Sequence, residues 1–160
     1  MHATQNASRR SIIRSFAASV AAAAAGVFGT RVAYAQTPAM TKKTSTDDQP
    51  AGAKPPLFSS WVTYGGLVYI AGQGEHGPGD ITAHTTSVLN QLEAQLKKAG
   101  SSMDNVLKVN VYLADLRDYD AMNEVFRGKF GPHPPVRTTV ANYGGVPGNS
   151  LVEIDCIAYR

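Results

Sequence analysis

Two charged residues near the C-terminus have the side-chain types needed to bind an anion and to activate water. Arg137 follows a pair of prolines, and Glu153 lies in a run of alternating apolar and polar residues. A guanidinium binds a carboxylate through two parallel hydrogen bonds, and a carboxylate can orient water or transfer a proton. If the two surrounding strands form a hairpin that turns near Val146, Arg137 and Glu153 become diagonal neighbours on one face. The residues alone favour a structural ion pair between the strands, or a contact between subunits.

A second group of polar residues surrounds the start of the first predicted helix. Glu75, His76, Asp80 and His84 could meet there and hold a metal ion, but their spacing matches no closed metal site. We therefore interpret them as surface polar residues and expect no bound metal. The chain also lacks a phosphate-binding loop, a Gly-x-Ser-x-Gly motif and a His-Glu-x-x-His motif.

The first 35 residues have the organisation of an export signal. Arg9-Arg10 opens a basic region, an apolar alanine-rich stretch covers residues 15–30, and Ala33-Tyr34-Ala35 offers small residues to a signal peptidase. We predict cleavage between Ala35 and Gln36. The paired arginines favour the twin-arginine route and a periplasmic location, with Sec export and a membrane anchor as alternatives. On this interpretation the chain contacts the membrane only transiently, during export.

The formal net charge of +3 originates in this leader. Four of the 15 basic residues and none of the 12 acidic residues lie in it, so the rest of the chain is close to neutral. Nucleic-acid binding requires Lys and Arg clustered on the folded domain. The sequence shows no such cluster, and we expect no nucleic-acid partner. The single cysteine, Cys156, excludes a disulfide framework.

The remainder of the chain divides into a predicted tether and one predicted domain. Residues 36–55 are polar and rich in Pro, Thr and Lys, which is typical of a disordered segment. Residues 56–160 contain short apolar runs in the order β-β-α-β-α-β-β. This order predicts an α/β (α+β) domain with one mixed sheet and two helices on one face. The other face must meet water or another subunit, and two helices are few enough to favour subunit association.

Two elements carry specific predictions about the core. In the strand over residues 106–113, alternation places four residues on one face: Leu107, Val109, Val111 and Leu113. In the helix after Asp118, the spacing predicts a buried side formed by Tyr119, Met122, Val125, Phe126 and Phe130.

Seven short segments follow the residue pattern of one known family, and they occur in that family's order. They are Phe58-Ser59-Ser60, Gly66-Leu67-Val68-Tyr69-Ile70-Ala71-Gly72-Gln73, Leu89-Asn90-Gln91-Leu92, Val106-Leu107-Lys108-Val109-Asn110-Val111-Tyr112-Leu113, Asp118-Tyr119-Asp120-Ala121-Met122-Asn123, Pro135-Val136-Arg137-Thr138-Thr139-Val140 and Val152-Glu153-Ile154-Asp155-Cys156-Ile157-Ala158. From about residue 55 to the end, the chain thus resembles the Rid family (YjgF/YER057c/UK114), whose best-known members are reactive-intermediate, or imine, deaminases.

This resemblance implies a chorismate-mutase-like fold, a homotrimer with three clefts between subunits, and a reaction that needs no cofactor. It assigns Arg137 to the substrate carboxylate and Glu153 to the attacking water. Active members of the family hydrolyse 2-imino acids to 2-keto acids and ammonia. The same resemblance places four further residues in the cleft: Phe58, Ala71, Gly72 and Thr139.

The chain departs from the family pattern at two of these positions. Phe58 stands where many active deaminases carry tyrosine, and Ala71 stands where serine often precedes Gly-Gln. Both changes remove a hydroxyl from the implied cleft. The leading hypothesis is an exported imine or enamine deaminase. The alternatives are a non-catalytic trimer that binds small carboxylates or carbonyl metabolites, and a hydrolase of another C–N bond.

Overall fold

Six strands form one mixed sheet in the computed structural model, which describes residues 40–160. The strands are β1 (Lys43–Thr44), β2 (Trp61–Tyr64), β3 (Leu67–Gly74), β4 (Val106–Leu113), β5 (Val136–Ala141) and β6 (Val152–Tyr159). The two α-helices are α1 (Ile81–Lys98) and α2 (Tyr119–Phe126). The strand order across the sheet is β1-β2-β3-β6-β4-β5, and only β4 and β5 are parallel. The predicted leader and the Ala35–Gln36 cleavage site lie outside the described residues.

Local sequence signals account for the β2–β3 hairpin and for helix α1. Gly65 and Gly66 have φ of +58° and +85°, the left-handed conformation that a two-residue hairpin turn requires. Asp80 caps α1, since its Oδ1 accepts a hydrogen bond from the backbone N–H of Ala83 at 2.8 Å. Gly100, with φ of +80°, follows the end of this helix.

Both helices pack on one face of the sheet and bury it. The largest fully buried side chains come from α1, α2 and the central strands: Val68, Val88, Leu89, Leu92, Leu96, Val109, Val111, Leu113, Met122, Val152 and Ile154. The predicted mixed sheet with two helices on one face is therefore confirmed. No helix within residues 40–160 is long and apolar enough to cross a bilayer.

The opposite side of the sheet, called here the open face, carries no helix of the described chain. Strand alternation and register assign to it Tyr69, Lys108, Asn110, Tyr112, Val136, Thr138, Val140, Glu153, Asp155, Ile157 and Tyr159. Several of its apolar and aromatic members are exposed, among them Tyr69, Val136 and Val140. The open face is thus a mixed apolar and polar surface.

A β-bulge corrects the predicted core face of β4. Val106 pairs with Ala158 and Lys108 pairs with Ile157, so Leu107 is an extra residue in the ladder. The bulge leaves Leu107 exposed and buries Val106 instead. From Val109 onward the predicted core face is confirmed, because alternation resumes there.

The predicted hairpin between β5 and β6 is wrong. β5 lies at the edge of the sheet and pairs in parallel with β4, whereas β6 lies between β3 and β4 and is antiparallel to both. The β4–α2–β5 segment is a crossover, because a helix between two strands returns the chain in the same direction. Strand β4 therefore separates Arg137 from Glu153.

The prediction of a disordered tether over residues 36–55 is wrong where β1 forms. Lys43 pairs with Thr63 and Thr44 pairs with Val62, which adds a strand to the β2 edge. The Oγ of Ser45 accepts a hydrogen bond from the backbone N–H of Ser60 at 2.8 Å. Backbone pairing to an exposed strand edge does not require apolar periodicity, so composition alone could not reveal it.

Candidate functional site

Glu153 lies near the start of β6, on the open face. It is opposite Gly74 of β3 and Tyr112 of β4. Residues 40–160 provide no salt bridge to its carboxylate. Burial, followed by the negative charges of Asp155 and Glu153, raises the pKa of Tyr112. Glu153 is thus a half-buried carboxylate with unused hydrogen-bonding capacity.

A bulge in β3 makes room for this carboxylate. Ile70 pairs with Cys156 and Gln73 pairs with Ile154, so one extra residue lies between them, at Ala71 and Gly72. A Cβ placed on Gly72 would lie 2.7 Å from Cδ of Glu153 and 3.0 Å from its Cγ. Gly72 therefore leaves the space that the Glu153 side chain occupies. Ala71, Gly72 and Glu153 form one cluster, called here the carboxylate cluster.

Arg137 lies on the other face of the sheet, which the helices cover. It is opposite Val109, and its guanidinium carbon is 4.7 Å from the centre of the Phe126 ring. Its Nη2 donates a hydrogen bond to the phenol oxygen of Tyr119 at 3.3 Å. Within residues 40–160 no carboxylate forms a salt bridge with it. Two aromatic rings of α2 thus hold a guanidinium whose remaining donors are available to an anion.

Thr139 lies two residues further along β5 on the same face as Arg137. Its Oγ1 is buried and has no hydrogen-bond partner among the described residues. A buried hydroxyl without a partner costs free energy, which a ligand or a water molecule can recover by accepting or donating a hydrogen bond. Arg137, Thr139 and Tyr119 form the second cluster, called here the guanidinium cluster.

The two clusters do not meet within one chain. Strand β4 lies between β5 and β6, so two strand spacings, about 10 Å, separate Arg137 and Glu153 across the sheet. The two side chains also point to opposite faces, because Arg137 aligns with buried Val109 whereas Glu153 aligns with Tyr112. The expected diagonal neighbours on one face are therefore wrong, and so is an Arg137–Glu153 ion pair within the chain.

Phe58 lies apart from both clusters. It precedes β2, and 70% of its surface is exposed. It borders a cavity of about 420 Å³ together with Trp61 and Lys98. The residues expected in one cleft thus occupy three places: Phe58 alone, the carboxylate cluster and the guanidinium cluster.

The polar residues around the start of α1 have structural roles. His84 is 2% exposed, so its interpretation as a surface residue is wrong. Its Nδ1 accepts a hydrogen bond from the Leu151 N–H at 3.2 Å, which leaves Nε2 to donate to the carbonyl of Gly77 at 3.1 Å. Within residues 40–160, no three His, Cys, Asp or Glu side chains are placed to hold a metal ion.

Tyr119 is a functional candidate that the residue pattern alone does not reveal. The helical spacing assigned it to the core, but 38% of its surface is exposed and its phenol meets Arg137. Met122 is buried as predicted, and Phe130 is buried beyond the end of α2. The available signal was the polar tip of a tyrosine in the first helical turn, since such a phenol usually has a hydrogen-bond partner when partly buried.

Comparison with known proteins gives one consistent result. The family model described as endoribonuclease L-PSP matches residues 47–160. The mouse protein named 2-iminobutanoate/2-iminopropanoate deaminase is 33% identical over 126 residues, which cover 74% of this chain and 91% of the mouse protein.

Two solved structures extend this similarity. A Mycobacterium tuberculosis protein described as a member of the YjgF/YER057c/UK114 family has a TM-score of 0.63 and 27% identity, covering 75% of this chain and all of that one. Escherichia coli TdcF with bound serine has a TM-score of 0.60 and 28% identity, covering 68% of this chain and 91% of that one.

Proposed function

Because this chain belongs to the endoribonuclease L-PSP family, the Rid or YjgF/YER057c/UK114 family, we propose that it hydrolyses reactive 2-imino or enamine acids. The products are 2-keto acids and ammonia. The reaction takes place in clefts between copies of the chain and uses no cofactor. The mouse relative named as an imine deaminase and the serine bound to TdcF support a small carboxylate substrate.

One observation carries this proposal: a guanidinium and a carboxylate, each without a salt bridge in the described chain, lie on opposite faces of one sheet. A single copy cannot bring them to one substrate. A neighbouring copy packed on the open face can supply Glu153 to the Arg137 of the next copy. The exposed apolar residues of the open face support such packing, and we propose the homotrimer as its form.

The chemistry of these groups suits imine hydrolysis. Arg137 binds the substrate carboxylate through two parallel hydrogen bonds, which fixes the position of the adjacent C=N carbon. Glu153 of the neighbouring copy orients a water molecule toward that carbon and accepts its proton as the C–O bond forms. The proton passes to the nitrogen, and the tetrahedral intermediate releases ammonia to leave a C=O group. The substrate is intrinsically reactive, so positioning supplies much of the acceleration.

Phe58 and Ala71 favour a second candidate function. Neither side chain carries a hydroxyl, and Phe58 is largely exposed. A cleft with the carboxylate-binding arginine but fewer hydrogen-bonding groups suits a trimer that binds 2-keto acids or related carbonyl metabolites without turnover. A hydrolase of a different C–N bond is the other outcome consistent with these residues.

Ribonuclease activity has less support than imine hydrolysis, although the matching family model is described as endoribonuclease L-PSP. Three of the basic side chains, Lys97, Arg117 and Arg127, are paired with neighbouring carboxylates. Arg137 is instead stacked against the aromatic rings of Tyr119 and Phe126. A nucleic-acid-binding surface instead needs several free cations side by side.

The deciding experiment follows the decay of 2-aminoacrylate or 2-iminobutanoate, generated by a dehydratase, above its spontaneous rate. We expect the mature protein to accelerate it. Arg137→Ala should reduce the rate by roughly 10²–10³-fold or more, since loss of a desolvated charge partner costs about 3–5 kcal/mol. Arg137→Lys should also lose most of the hydrolysis rate, because lysine lacks the planar guanidinium that forms two parallel hydrogen bonds. Glu153→Gln should keep binding while turnover falls.

Arg127→Ala is the matched control, because Arg127 is an exposed arginine on a weak 3.4 Å ion pair. Normal hydrolysis by both Arg137→Lys and Glu153→Gln would remove this site from consideration. Binding of 2-keto acids that depends on Arg137, without hydrolysis by the wild-type protein, would establish the binding-protein function instead.

We also propose export to the periplasm by the twin-arginine route. The support is the sequence alone: Arg9-Arg10, the apolar stretch and Ala33-Tyr34-Ala35. The intact mass of the protein from its native host should correspond to a chain that begins at Gln36. Lysine at both positions 9 and 10 should block export, whereas unchanged export would indicate the Sec route and a full-length cytoplasmic protein would contradict export altogether.

A further inference from the structure

We infer that Tyr119 is a substrate-contacting residue, whose phenol O–H donates to the same carboxylate that Arg137 binds. The inference rests on the proposed function, in that it assumes a small carboxylate in the Arg137 site. It adds a third hydrogen-bond donor to that site and makes Tyr119 a determinant of its affinity for carboxylates.

The hydrogen bond between Tyr119 and Arg137 sets the direction of the phenol proton. A guanidinium has only donors, so the 3.3 Å contact has Nη2 of Arg137 as donor and the phenol oxygen as acceptor. The O–H of Tyr119 therefore points elsewhere. The described residues provide it with no acceptor within hydrogen-bond distance, and 38% of the Tyr119 surface is exposed. The Tyr119 O–H is thus a hydrogen-bond donor without a partner in the described chain, beside a guanidinium without a salt bridge.

The aromatic surroundings keep this donor and the guanidinium together. The guanidinium carbon is 4.7 Å from the Phe126 ring centre and 5.8 Å from that of Tyr119. Phe126 contributes only an apolar face, so the guanidinium edge away from it is where an anion binds. Tyr119 belongs to the first turn of α2, and its backbone position is set by the helix rather than by a loop. An anion on Arg137 therefore reaches the phenol without rearrangement of the chain.

The chemistry of the bound group follows from the three donors. Two guanidinium N–H groups and one O–H match the oxygens of one carboxylate, each of which accepts more than one hydrogen bond. A neutral carbonyl or amide offers fewer acceptor sites and no charge. The phenol also adds a hydroxyl to a cleft in which Ala71 supplies none.

The carboxylate keeps its charge throughout imine hydrolysis, because the reaction occurs at the neighbouring carbon. A donor to the carboxylate is therefore equally strong in the ground state and in the transition state. Such uniform binding affects KM and leaves kcat unchanged. If Tyr119 merely held Arg137 in place, its loss would let the substrate shift away from Glu153, and kcat would fall as well.

The test compares Tyr119→Phe with wild type, using calorimetric titration of 2-oxobutanoate and imine hydrolysis kinetics. The variant keeps the ring and loses only the hydroxyl. We expect the Kd and the KM to rise about ten- to a hundredfold, the range for a hydrogen bond to a charged group, with kcat within about twofold of wild type. Tyr143→Phe is the matched control, since Tyr143 is fully exposed in the loop after β5.

Each outcome decides the inference. An unchanged Kd for Tyr119→Phe with Arg137-dependent binding intact would overturn the phenol contact and leave the proposed function standing. A fall in kcat comparable to the rise in KM would make Tyr119 a positioning residue for Arg137 and would also overturn the inferred contact with the substrate. Binding that depends on Tyr119, in a wild-type protein without hydrolysis, would support the contact while the hydrolase proposal fails. No binding of 2-oxobutanoate by wild type would overturn both.

Discussion

Gly72 and Glu153 are coupled at the residue scale, because one leaves the space that the other fills. We expect Gly72→Ala to displace the Glu153 carboxylate, since the new Cβ would lie 2.7 Å from its Cδ. The side chain is flexible at that end, so the fold should survive while kcat falls toward the level of Glu153→Gln. Hydrolysis kinetics and a melting curve would separate the two effects.

Gly74→Ala provides the control in the same strand. Its new Cβ would meet Ser150 at 3.4 Å, an ordinary contact, so activity should be nearly unchanged. If Gly72→Ala and Gly74→Ala both keep wild-type activity, the position of the Glu153 carboxylate does not matter for turnover.

Cys156 carries a buried thiol that we expect to be unreactive in the folded protein. It is 1% exposed, and burial, with a smaller contribution from the Asp155 charge, raises its pKa to about 12. The thiolate is the reactive form, so it is almost absent near neutral pH. We expect no reaction of the folded protein with a thiol-specific chromophore, and one thiol per chain after denaturation in guanidinium. Rapid labelling of the native protein would contradict the packing of β6.

The sequence predicts which residues form the candidate site, but it does not predict their arrangement. Arg137 and Glu153 were recognisable because they lie in segments with a family pattern. Their placement on opposite faces depends on which strand lies between them, and that choice is made by pairings distant in sequence. Tyr119 was missed for a related reason: helical spacing reports which side faces the core, not what the tip of a side chain meets.

At the scale of elements, Glu75 joins the end of β3 to helix α1. Its carboxylate accepts hydrogen bonds from the Ser87 hydroxyl and from the backbone N–H of Gly77, the latter at 2.8 Å. The Ser87 hydrogen bond is the main cause that lowers the Glu75 pKa below its usual 4.5, and the Gly77 N–H is the second. A carboxyl with a lowered pKa stabilises the folded state above its unfolded pKa and loses that contribution as the pH falls through its folded pKa.

We therefore expect Glu75→Gln to flatten the acid side of the stability profile. Urea midpoints measured from pH 7 down to pH 3 should fall more steeply for wild type than for the variant below about pH 4.5. Glu124→Gln, which alters an exposed carboxylate of α2, should keep the wild-type slope. Identical profiles for wild type and Glu75→Gln would mean that this contact does not link β3 to α1.

Elements with local signals were predictable, and those set by distant pairing were not. Asp80, Gly100 and the Gly65-Gly66 turn act within a few residues of their own position, so signals of this kind are visible in the local sequence. The predicted β5–β6 hairpin is wrong because these two strands are adjacent in the chain but are separated by β4 in the sheet. The bulge at Leu107 shifts alternation by one residue, and nothing in the local pattern marks it.

At the scale of the whole molecule, the open face carries exposed apolar residues that the proposed trimer would cover. We expect light scattering on the mature protein to give about three times the protomer mass, as the proposed trimer requires. Ile157→Lys should dissociate it and abolish hydrolysis, because Ile157 lies opposite Lys108 on the open face and a second, unpaired positive charge buried there is costly.

Leu116→Lys serves as the control, since Leu116 is an exposed apolar residue outside the open face. It should leave the mass unchanged. A wild-type protein that is a stable monomer with full activity would contradict the two-copy site.

The helix-covered side of the sheet was predictable at this scale from the number of helices. The β1 strand was not, because it pairs through backbone groups that composition does not report.

The placement of Arg137 and Glu153 on opposite faces has a consequence for genetics. A cleft that takes its arginine from one subunit and its glutamate from the next can be rebuilt from two defective gene products. Each mixed trimer of Arg137→Ala and Glu153→Gln chains contains one junction with both wild-type residues. Co-expression in equal amounts should then restore about a quarter of the wild-type activity. Two alleles that are each null alone would complement one another, whereas a site contained within one chain would leave the mixture inactive.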